Sequence, residues 1–540
     1  MNHAKLLDCT LRDGAYLIDK KFGDNTIHGI INGLVKTGVD LIEIGFLQDD
    51  GFGEGKTVFK DSTDAEKFVP KNRNGALFTV LADYSRYSIE NLDFFTGQSF
   101  DAVRACFFKK ERFDVIDFCK EIKRKGYKLF VQPVDILGYT DIELIEFIEQ
   151  INALEPYCFS IVDTFGSMYA EDLHRVFELI NHNLIDSCKI GFHSHNNMQM
   201  SSALSQEFLR MTFGQRRVVV DATISGMGRG AGNTPTELLA QYMVSKLGYT
   251  YDIDSLLDII DEYMDNIRSR CSWGYDTHYF IAGAYSAHVN NIYYLQKKNS
   301  IKYKDIRYIL NKIGAIPRKR YHYDLLEETY LNYLKSDIDD SKTIQELNNT
   351  LKGKNIVIIA PGKTAKTMAD TIIKYIRDND AVVISVNFRH EKIKSDYLYF
   401  SNVKRYSYWS NDNETQNIPK ILTSNITDNP KENEKVVSFV ELIKCGWEHM
   451  DNSVILLLRL LDKLNVNSIA LSGLDGFDYQ LINSSNYANS EMELSNIDNE
   501  ESKLLNKEIE EMLKDFIETK TGDETISFIT PSRFDYISCE

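Results

Sequence analysis

The 540-residue chain has no long hydrophobic run, no excess of positive charge and no paired cysteines. A membrane-spanning helix needs about 20 consecutive apolar residues. The best candidate, VILLLRLL from Val454 to Leu461, is short and interrupted by Arg459, so it reads as a buried helix. The formal net charge is −17, from 62 Lys and Arg against 79 Asp and Glu. That balance argues against non-specific binding to nucleic acid or to an anionic membrane. The eight cysteines are scattered and none forms a CxxC pair. Several lie inside apolar runs, where a free thiol is simply a small buried group. With no secretory signal ahead of the first strand-like run, a reducing cytoplasm is expected. Internal repeats and low-complexity tracts are also missing. What remains, 43% hydrophobic and 26% charged residues, is the composition of a soluble globular protein. The length calls for two or three domains.

Eight short apolar runs alternate with amphipathic stretches: LLDCTL (6–11), LIEIGF (41–46), ALFTVLAD (76–83), AVRACFF (102–108), KLFVQPVDI (128–136), CFSIVDTFG (158–166), KIGFHSHNN (189–197) and RVVVDATIS (217–225). Continuous apolar runs fit parallel strands buried on both faces. A βαβ unit takes roughly 30 residues, and eight such units close a barrel of about 250. An open doubly wound sheet is the alternative, but no GxGxxG follows the first run. The expected fold is α/β: an N-terminal (β/α)8 TIM barrel over residues 1–245, a helical extension packed on it over 246–335, a polar linker over 336–354, and a C-terminal three-layer α/β, Rossmann-like domain over 355–540. Thr140 is placed to cap the helix that follows it. The acidic stretch NIDNEESKLLNKEIEEMLKDF near the end reads as a solvated helix face.

Barrel chemistry gathers where strands end, at the C-terminal face. DCTLRDG (8–14) supplies Arg12, a planar cation for a carboxylate or enolate oxygen, and Asp13, a hard oxygen ligand. HSHNN (193–197) supplies His193 and His195, two apart on a strand and therefore on one face, in a pattern suited to a divalent metal. Glu43 is a carboxylate in an otherwise apolar strand, which needs a partner; Arg12, one strand over, is the natural one. Asp163, with Thr164 beside it, raises the same question on the sixth run, and both are candidate substrate contacts. SGMGRGAGNTPTE (225–237) is a glycine-rich loop of the kind that brings N–H groups to an anion, with Asn233 as its polar contact. Each motif also has a plain reading: a surface ion pair, satisfied core histidines, a flexible turn. One Asp and two His together leave open positions, a catalytic rather than structural arrangement. The set does not fix the metal, since Mn2+, Mg2+, Zn2+ and Co2+ all fit, with Mn2+ or Mg2+ the expected ions; it suits carbanion chemistry next to a carbonyl.

These motifs resemble the metal-dependent aldolase, lyase and acyl-transferase superfamily of 4-hydroxy-2-oxovalerate aldolase, hydroxymethylglutaryl-CoA lyase and isopropylmalate synthase. The resemblance rests on DCTLRDG, the Glu of LIEIGF, HSHNN and GMGRGAGN, and covers about residues 4–245. WGYDTHYFIAGAYSAH (273–288) is more similar to the 4-hydroxy-2-oxovalerate aldolase branch. It implies that Asp13, His193 and His195 bind the metal, that Arg12 polarises the 2-oxo group, and that a C–C bond of a 4-hydroxy-2-oxo acid is made or broken through a metal-bound pyruvate enolate. One position departs: the aldolases place a catalytic His shortly after RDG, where this chain has Ala15, Tyr16 and Leu17. Tyr16, Tyr275 and His278 are the candidate proton carriers, although a tyrosine with its ordinary pKa near ~10 is a poor base. An acyl-CoA/2-oxo acid condensing transferase and a non-catalytic barrel scaffold are the alternatives. The partners expected are a small-molecule 2-oxo acid and a second copy of the chain, with no nucleic acid and no membrane.

In the second domain, APGKT (360–364) after a strand is not a full Walker motif. Gly362, Lys363 and Thr364 are nonetheless candidates for a phosphate-binding turn. With ISVNF and IALSGLDGFD it distantly resembles sialyltransferase-type and pterin-pyrophosphokinase-like folds, which implies a nucleotide or nucleotide-sugar module.

Overall fold

A computed structural model describes residues 3–298, 301, 303–334, 338–427, 430–444, 446–449, 452–478, 486–489 and 499–537. The eight apolar runs form eight strands: β1 (Ala4–Asp8), β2 (Leu41–Leu47), β3 (Leu77–Asp83), β4 (Ala102–Phe107), β5 (Lys128–Pro133), β6 (Cys158–Asp163), β7 (Lys189–Ser194) and β8 (Val218–Ala222). All pair in parallel with their sequence neighbours, and β1 pairs with both β2 and β8, which closes the barrel. A further two-residue strand, Val58–Phe59, pairs with the end of β2; it is too short to leave a periodic signal.

The barrel interior is layered. Leu7, Leu41, Ala102, Phe130, Cys158 and Val219 pack together in an apolar layer. Two residues further along their strands, on the same face, stand Glu43, Arg104, Gln132, Ser160 and Asp221, all buried. A buried charged layer therefore lies directly above an apolar one, toward the strand ends. Outside, helices cover the sheet with one face each. In Asp141–Asn152, Leu144, Phe147, Ile148 and Ile151 are buried, the spacing of an apolar helical stripe. Thr140 caps that helix as expected: its hydroxyl accepts from the Glu143 N–H at 3.2 Å, and the Glu143 carboxylate accepts from the Thr140 N–H at 2.8 Å.

The chain separates into two compact units: residues 1–293 with 314–322, and residues 294–313 with 323–540. The stretch 246–335 is thus shared between them. Helix Tyr303–Ile313 packs against helix Tyr323–Leu334, and Lys297 is bonded to Glu448 at 2.6 Å, so these residues go with the second unit. Within 336–354, the described part is largely a helix, Ser341–Leu351, with Leu347 and Leu351 buried.

The second unit carries a parallel sheet of β9 (Asn355–Ile359), β10 (Val382–Val386), β11 (Tyr397–Phe400), β12 (Lys420–Thr423), β13 (Glu434–Val437), β14 (Ser468–Ser472) and β15 (Thr525–Phe528). Their order is β13-β12-β11-β10-β9-β14-β15, so the direction of winding reverses at β9. Val454 to Leu461 lies in a buried helix, Ser453–Lys463. Among the described residues no helix is long and apolar enough to cross a membrane. The acidic helix Asn499–Thr519 is not simply a solvated face: Ile509, Met512, Leu513 and Phe516 are buried, and so is Glu508. The i, i+3, i+4 spacing of its apolar residues puts them on one packed side.

Candidate functional site

The chain leaves β1 at Asp8 and turns at once into a short helix, Thr10–Asp13, which buries Arg12 and Asp13 at the mouth of the barrel. The Arg12 guanidinium donates from Nε to Glu43 Oε2 at 2.8 Å and from Nη1 to Asp13 Oδ1 at 2.8 Å. Glu43 is in turn held by Arg104 Nη1 at 3.0 Å, and Arg104 also donates to Asp221. Two arginines and three carboxylates thus alternate through the buried layer, so no charge there stands unpaired.

Across from Asp13, the end of β7 brings His193 and His195 together, with ring centroids 5.0 Å apart and planes at 88°. Their Nε2 atoms lie 3.6 and 3.9 Å from Asp13 Oδ2. One ligand atom from each of Asp13, His193 and His195 falls within 4.8 Å of the others. His193 Nδ1 is hydrogen-bonded to Asp221 Oδ2 at 3.0 Å, which turns its Nε2 toward Asp13. A carboxylate that fixes the tautomer and aim of a histidine in this way is the usual second layer of a metal site. Gly191, two residues below His193 on the same face, makes room: a Cβ there would lie 2.5 Å from Ser160 Oγ.

The charge states suit a cation. Burial opposes the charge on Asp13, but Arg12, His195 and His193 outweigh it and hold the carboxyl well below its ordinary range, so it is ionised. Burial lowers His195 to about 4 against the pull of Asp13, so its imidazole is neutral and its lone pair free to ligate. An anionic oxygen and two imidazoles converging on one point fit a divalent metal with open positions. Asn233 completes the rim: Nδ2 donates to Asp13 Oδ2 at 2.7 Å, while its buried Oδ1 has no partner among the described residues. A second cluster, Cys9, His193 and Asp221, is also close enough to share an ion. It is a poor cation site. Burial pushes the Cys9 thiol well above its ordinary range, its S–H is bonded to Ala222 O at 3.3 Å, and Asp221 already neutralises Arg104.

Residues 3–262 match the model of the HMGL-like family. A protein named oxaloacetate decarboxylase from Mycobacterium tuberculosis is 28% identical over 276 residues, covering 50% of this chain and 79% of its own length. A 4-hydroxy-2-oxovalerate aldolase from Shewanella pealeana is 26% identical over 351 residues, covering 61% of this chain and 96% of its own. Among solved structures, the HMG-CoA lyase of Bacillus subtilis aligns with 49% of this chain and 92% of its own, at 17% identity and a TM-score of 0.39.

Within the HMGL-like domain the other sequence candidates divide. Tyr16 lies beside the site, its ring under the Arg229 guanidinium at 3.5 Å and edge-on to Phe46 at 5.3 Å. Burial raises its pKa against the pull of Arg229 and Arg12, so it holds a proton and is no base at neutral pH. Asp163 and Thr164 are tied to loops. Asp163 accepts from the Ser167 N–H at 2.9 Å and the Ser194 hydroxyl at 3.4 Å, and burial pushes its pKa up to about 6 against those bonds. Thr164 Oγ1 accepts from the Asp135 N–H at 2.8 Å. Tyr275 is 67% exposed, and His278 is bonded to Asp276 at 2.5 Å; neither makes a described contact with Asp13, His193 or His195. The glycine-rich loop turns its N–H groups inward, against the expectation of an anion cradle. Gly226, Met227, Gly232 and Asn233 donate to carbonyls of 223–229, and Ala231 donates to Asn197 Oδ1 at 3.0 Å.

Sequence reasoning passed over Arg104, Asp221 and Arg229. The first two carry the signal that marked Glu43, a charged residue inside an apolar strand. Arg229 carries none, because a cation in a glycine-rich loop is ordinary.

In the second unit, the Thr364 N–H donates to Asp475 Oδ2 at 2.8 Å and its hydroxyl to Asp475 Oδ1, so these two groups are committed to a carboxylate. A Cβ at Gly362 would overlap the Gly473 carbonyl; close approach to the loop after β14 accounts for this glycine. Lys363 is partly buried. Next to this turn is a cavity of about 760 Å³, lined by Gly362, Asn387, Ser401, Asn452, Asp475 and others. It lies at the carboxyl ends of β9, β10, β11 and β14, where the winding reverses and α/β sheets place ligands.

Proposed function

We propose that the HMGL-like domain is a divalent-metal-dependent aldolase that cleaves or forms a C–C bond of a 4-hydroxy-2-oxo acid, with pyruvate on one side. The observation that carries this reading is the convergence of Asp13, His193 and His195 beside a fixed arginine. Relatives named as aldolase and decarboxylase support the lyase class. When bound, a divalent cation would supply Lewis-acid polarisation of a 2-oxo group. Arg12 is the fixed cation for the oxygen that gains charge as the bond breaks. Glu43 and Asp13 hold its fork from two sides, so little reorganisation is left for the reaction itself. Asp221 holds His193, and Asn233 holds Asp13. Tyr16, protonated and next to Arg12, is a group that can give a proton rather than take one.

The test is exchange of the pyruvate methyl protons in D2O, followed by NMR, with Mn2+ added or removed by chelation. Exchange should need the metal, and Asp13→Asn should lower both Mn2+ affinity and exchange by on the order of 100-fold or more. Exchange that persists in chelator-treated protein would overturn the reading.

A further inference from the structure

Lys20 and Arg229 stand out on the rim of this site. The chain carries 79 acidic residues against 62 Lys and Arg, and Arg12, Lys56, Arg73, Arg104 and Lys109 of the barrel are ion-paired. These two form no ion pair among the described residues. Arg229, exposed in the glycine-rich loop, lies over the Tyr16 ring at 3.5 Å. Tyr16 packs edge-on against Phe46, and Lys20 Nζ lies 4.9 Å from the centroid of that same Phe46 ring. One aromatic pair therefore carries a cation at each end. Lys20 donates to Gln48 Oε1 at 2.7 Å, a neutral acceptor. The acids nearest to it are otherwise placed: Asp19 pairs with Lys56 at 3.7 Å, and Asp50 is exposed. Electrostatically the two cations feel each other: burial, Arg86 and Arg229 push the Lys20 pKa down, against the opposite pull of Asp19 and Asp50. Arg229 also acts on His195 and Tyr16, so its field reaches the candidate metal site.

Two cations at the two ends of one aromatic pair, neither of them ion-paired among the described residues, repel one another, and a half-buried amine without a close counter-ion costs stability. An anion placed between them relieves both. Arg12 and the three ligands already account for the 2-oxo acid end. We propose that Arg229 and Lys20 bind a second anionic group, a carboxylate or a phosphate, at the far end of the substrate, so that the aldehyde released or accepted by this enzyme is itself an anion. This rests on the aldolase reading above. In cleavage, the 4-hydroxyl gives up its proton and its C4–O bond becomes the aldehyde carbonyl. The C3–C4 electron pair passes to C3, which takes one proton to become the pyruvate methyl. No oxidant or further reactant is needed, and the distal anion stays on the aldehyde.

The first experiment needs no turnover. The full chain with excess Mn2+ is titrated calorimetrically with 2-oxoadipate and with the neutral-tailed 2-oxohexanoate. The dianion should bind about 10- to 100-fold more tightly, the worth of one or two charge-assisted hydrogen bonds. Arg229→Met should remove most of that preference, and Arg229→Lys should restore part of it. Equal affinity for the two acids in the unchanged protein overturns the proposal. The second experiment condenses pyruvate with succinic semialdehyde, glyceraldehyde 3-phosphate, glyceraldehyde and butanal. A higher kcat/KM for the first assigns a carboxylate, for the second a phosphate; both support the subsite. If pyruvate exchanges its methyl protons but neutral aldehydes react as well as anionic ones, the subsite falls and the aldolase reading stands. If the dianion preference is present without exchange, the subsite stands and the aldolase reading falls.

Discussion

Arg104 shows how much of this site rests on one residue that no motif marks. It is fully buried in the barrel and bridges Glu43 and Asp221, which in turn hold Arg12 and His193. Burial disfavours its charge, but the two carboxylates win and raise its pKa. Removing it takes a cation from each of two buried carboxylates, leaving Glu43 to Arg12 and Asp221 to His193. Arg104→Met should therefore destabilise the HMGL-like domain by about 3–5 kcal/mol, measured by urea denaturation. Asp221→Asn tests the aim of His193 rather than its presence. It should weaken Mn2+ binding by about 10- to 100-fold while the unchanged ligands keep the site in place; unaltered affinity in a calorimetric titration would show that Asp221 does not position the ring. In the sequence, Arg12, Asp13, Glu43, His193 and His195 were legible because charged and imidazole groups in apolar runs must find partners. Arg104 and Asp221 obey the same rule, but which charges meet depends on barrel closure, which joins β1 to β8. Tyr275 was misleading for the complementary reason: an aromatic in a helical stretch gives no sign of which side it faces, and this one faces out.

At the scale of elements, the loop after β8 is defined by backbone, not by an anion. Gly232 has φ +84°, and a Cβ there would overlap the carbonyl oxygen of Gly226, itself the acceptor of the Asn233 N–H at 3.0 Å. Gly232→Ala should displace Asn233 from Asp13, costing more than about 1 kcal/mol in stability and lowering Mn2+ affinity. A variant with unchanged thermal midpoint and unchanged affinity would contradict this account of the loop. The strands and the cap at Thr140 could be read in the chain because they are local: period, β-branched content and a Thr-x-x-Glu box act within a few residues. The direction of the glycine-rich loop's N–H groups could not, since its partners include Asn197 on another element.

For the whole molecule, the balance of buried carboxyls gives a pH signature. Asp8 ends β1 buried against the start of helix Thr236–Leu247, where burial pushes its pKa from an ordinary 3.8 up to about 6, although Thr236 and Thr10 donate to it. A raised carboxyl favours the protonated folded state. Its stabilising contribution is present below about 3.8 and is lost as pH rises through about 6, an amount on the order of 3 kcal/mol at most. Asp8→Asn should flatten that part of the fall in stability between about pH 4 and pH 7, seen by denaturant titration across the range. Parallel slopes for the two proteins would refute the buried acid as its source. The division of the molecule has the same non-local character. Residues 294–313 and 323–334 read as one helical extension with their neighbours, yet they fold with the second sheet.

By itself, the order of residues determined the eight strands, the covering helices, the second parallel sheet and the types of side chain that meet at the strand ends. These follow from periodicity and from the cost of burying an unpaired charge, and both act along the chain. Only the tertiary structure decided that Asp221 aims His193, that Arg104 joins two carboxylates, that Arg229 and Lys20 share one aromatic pair, and which helices go with which sheet. Those include contacts between segments more than two hundred residues apart, such as Arg229 over Tyr16, and their energies exist only once the barrel has closed.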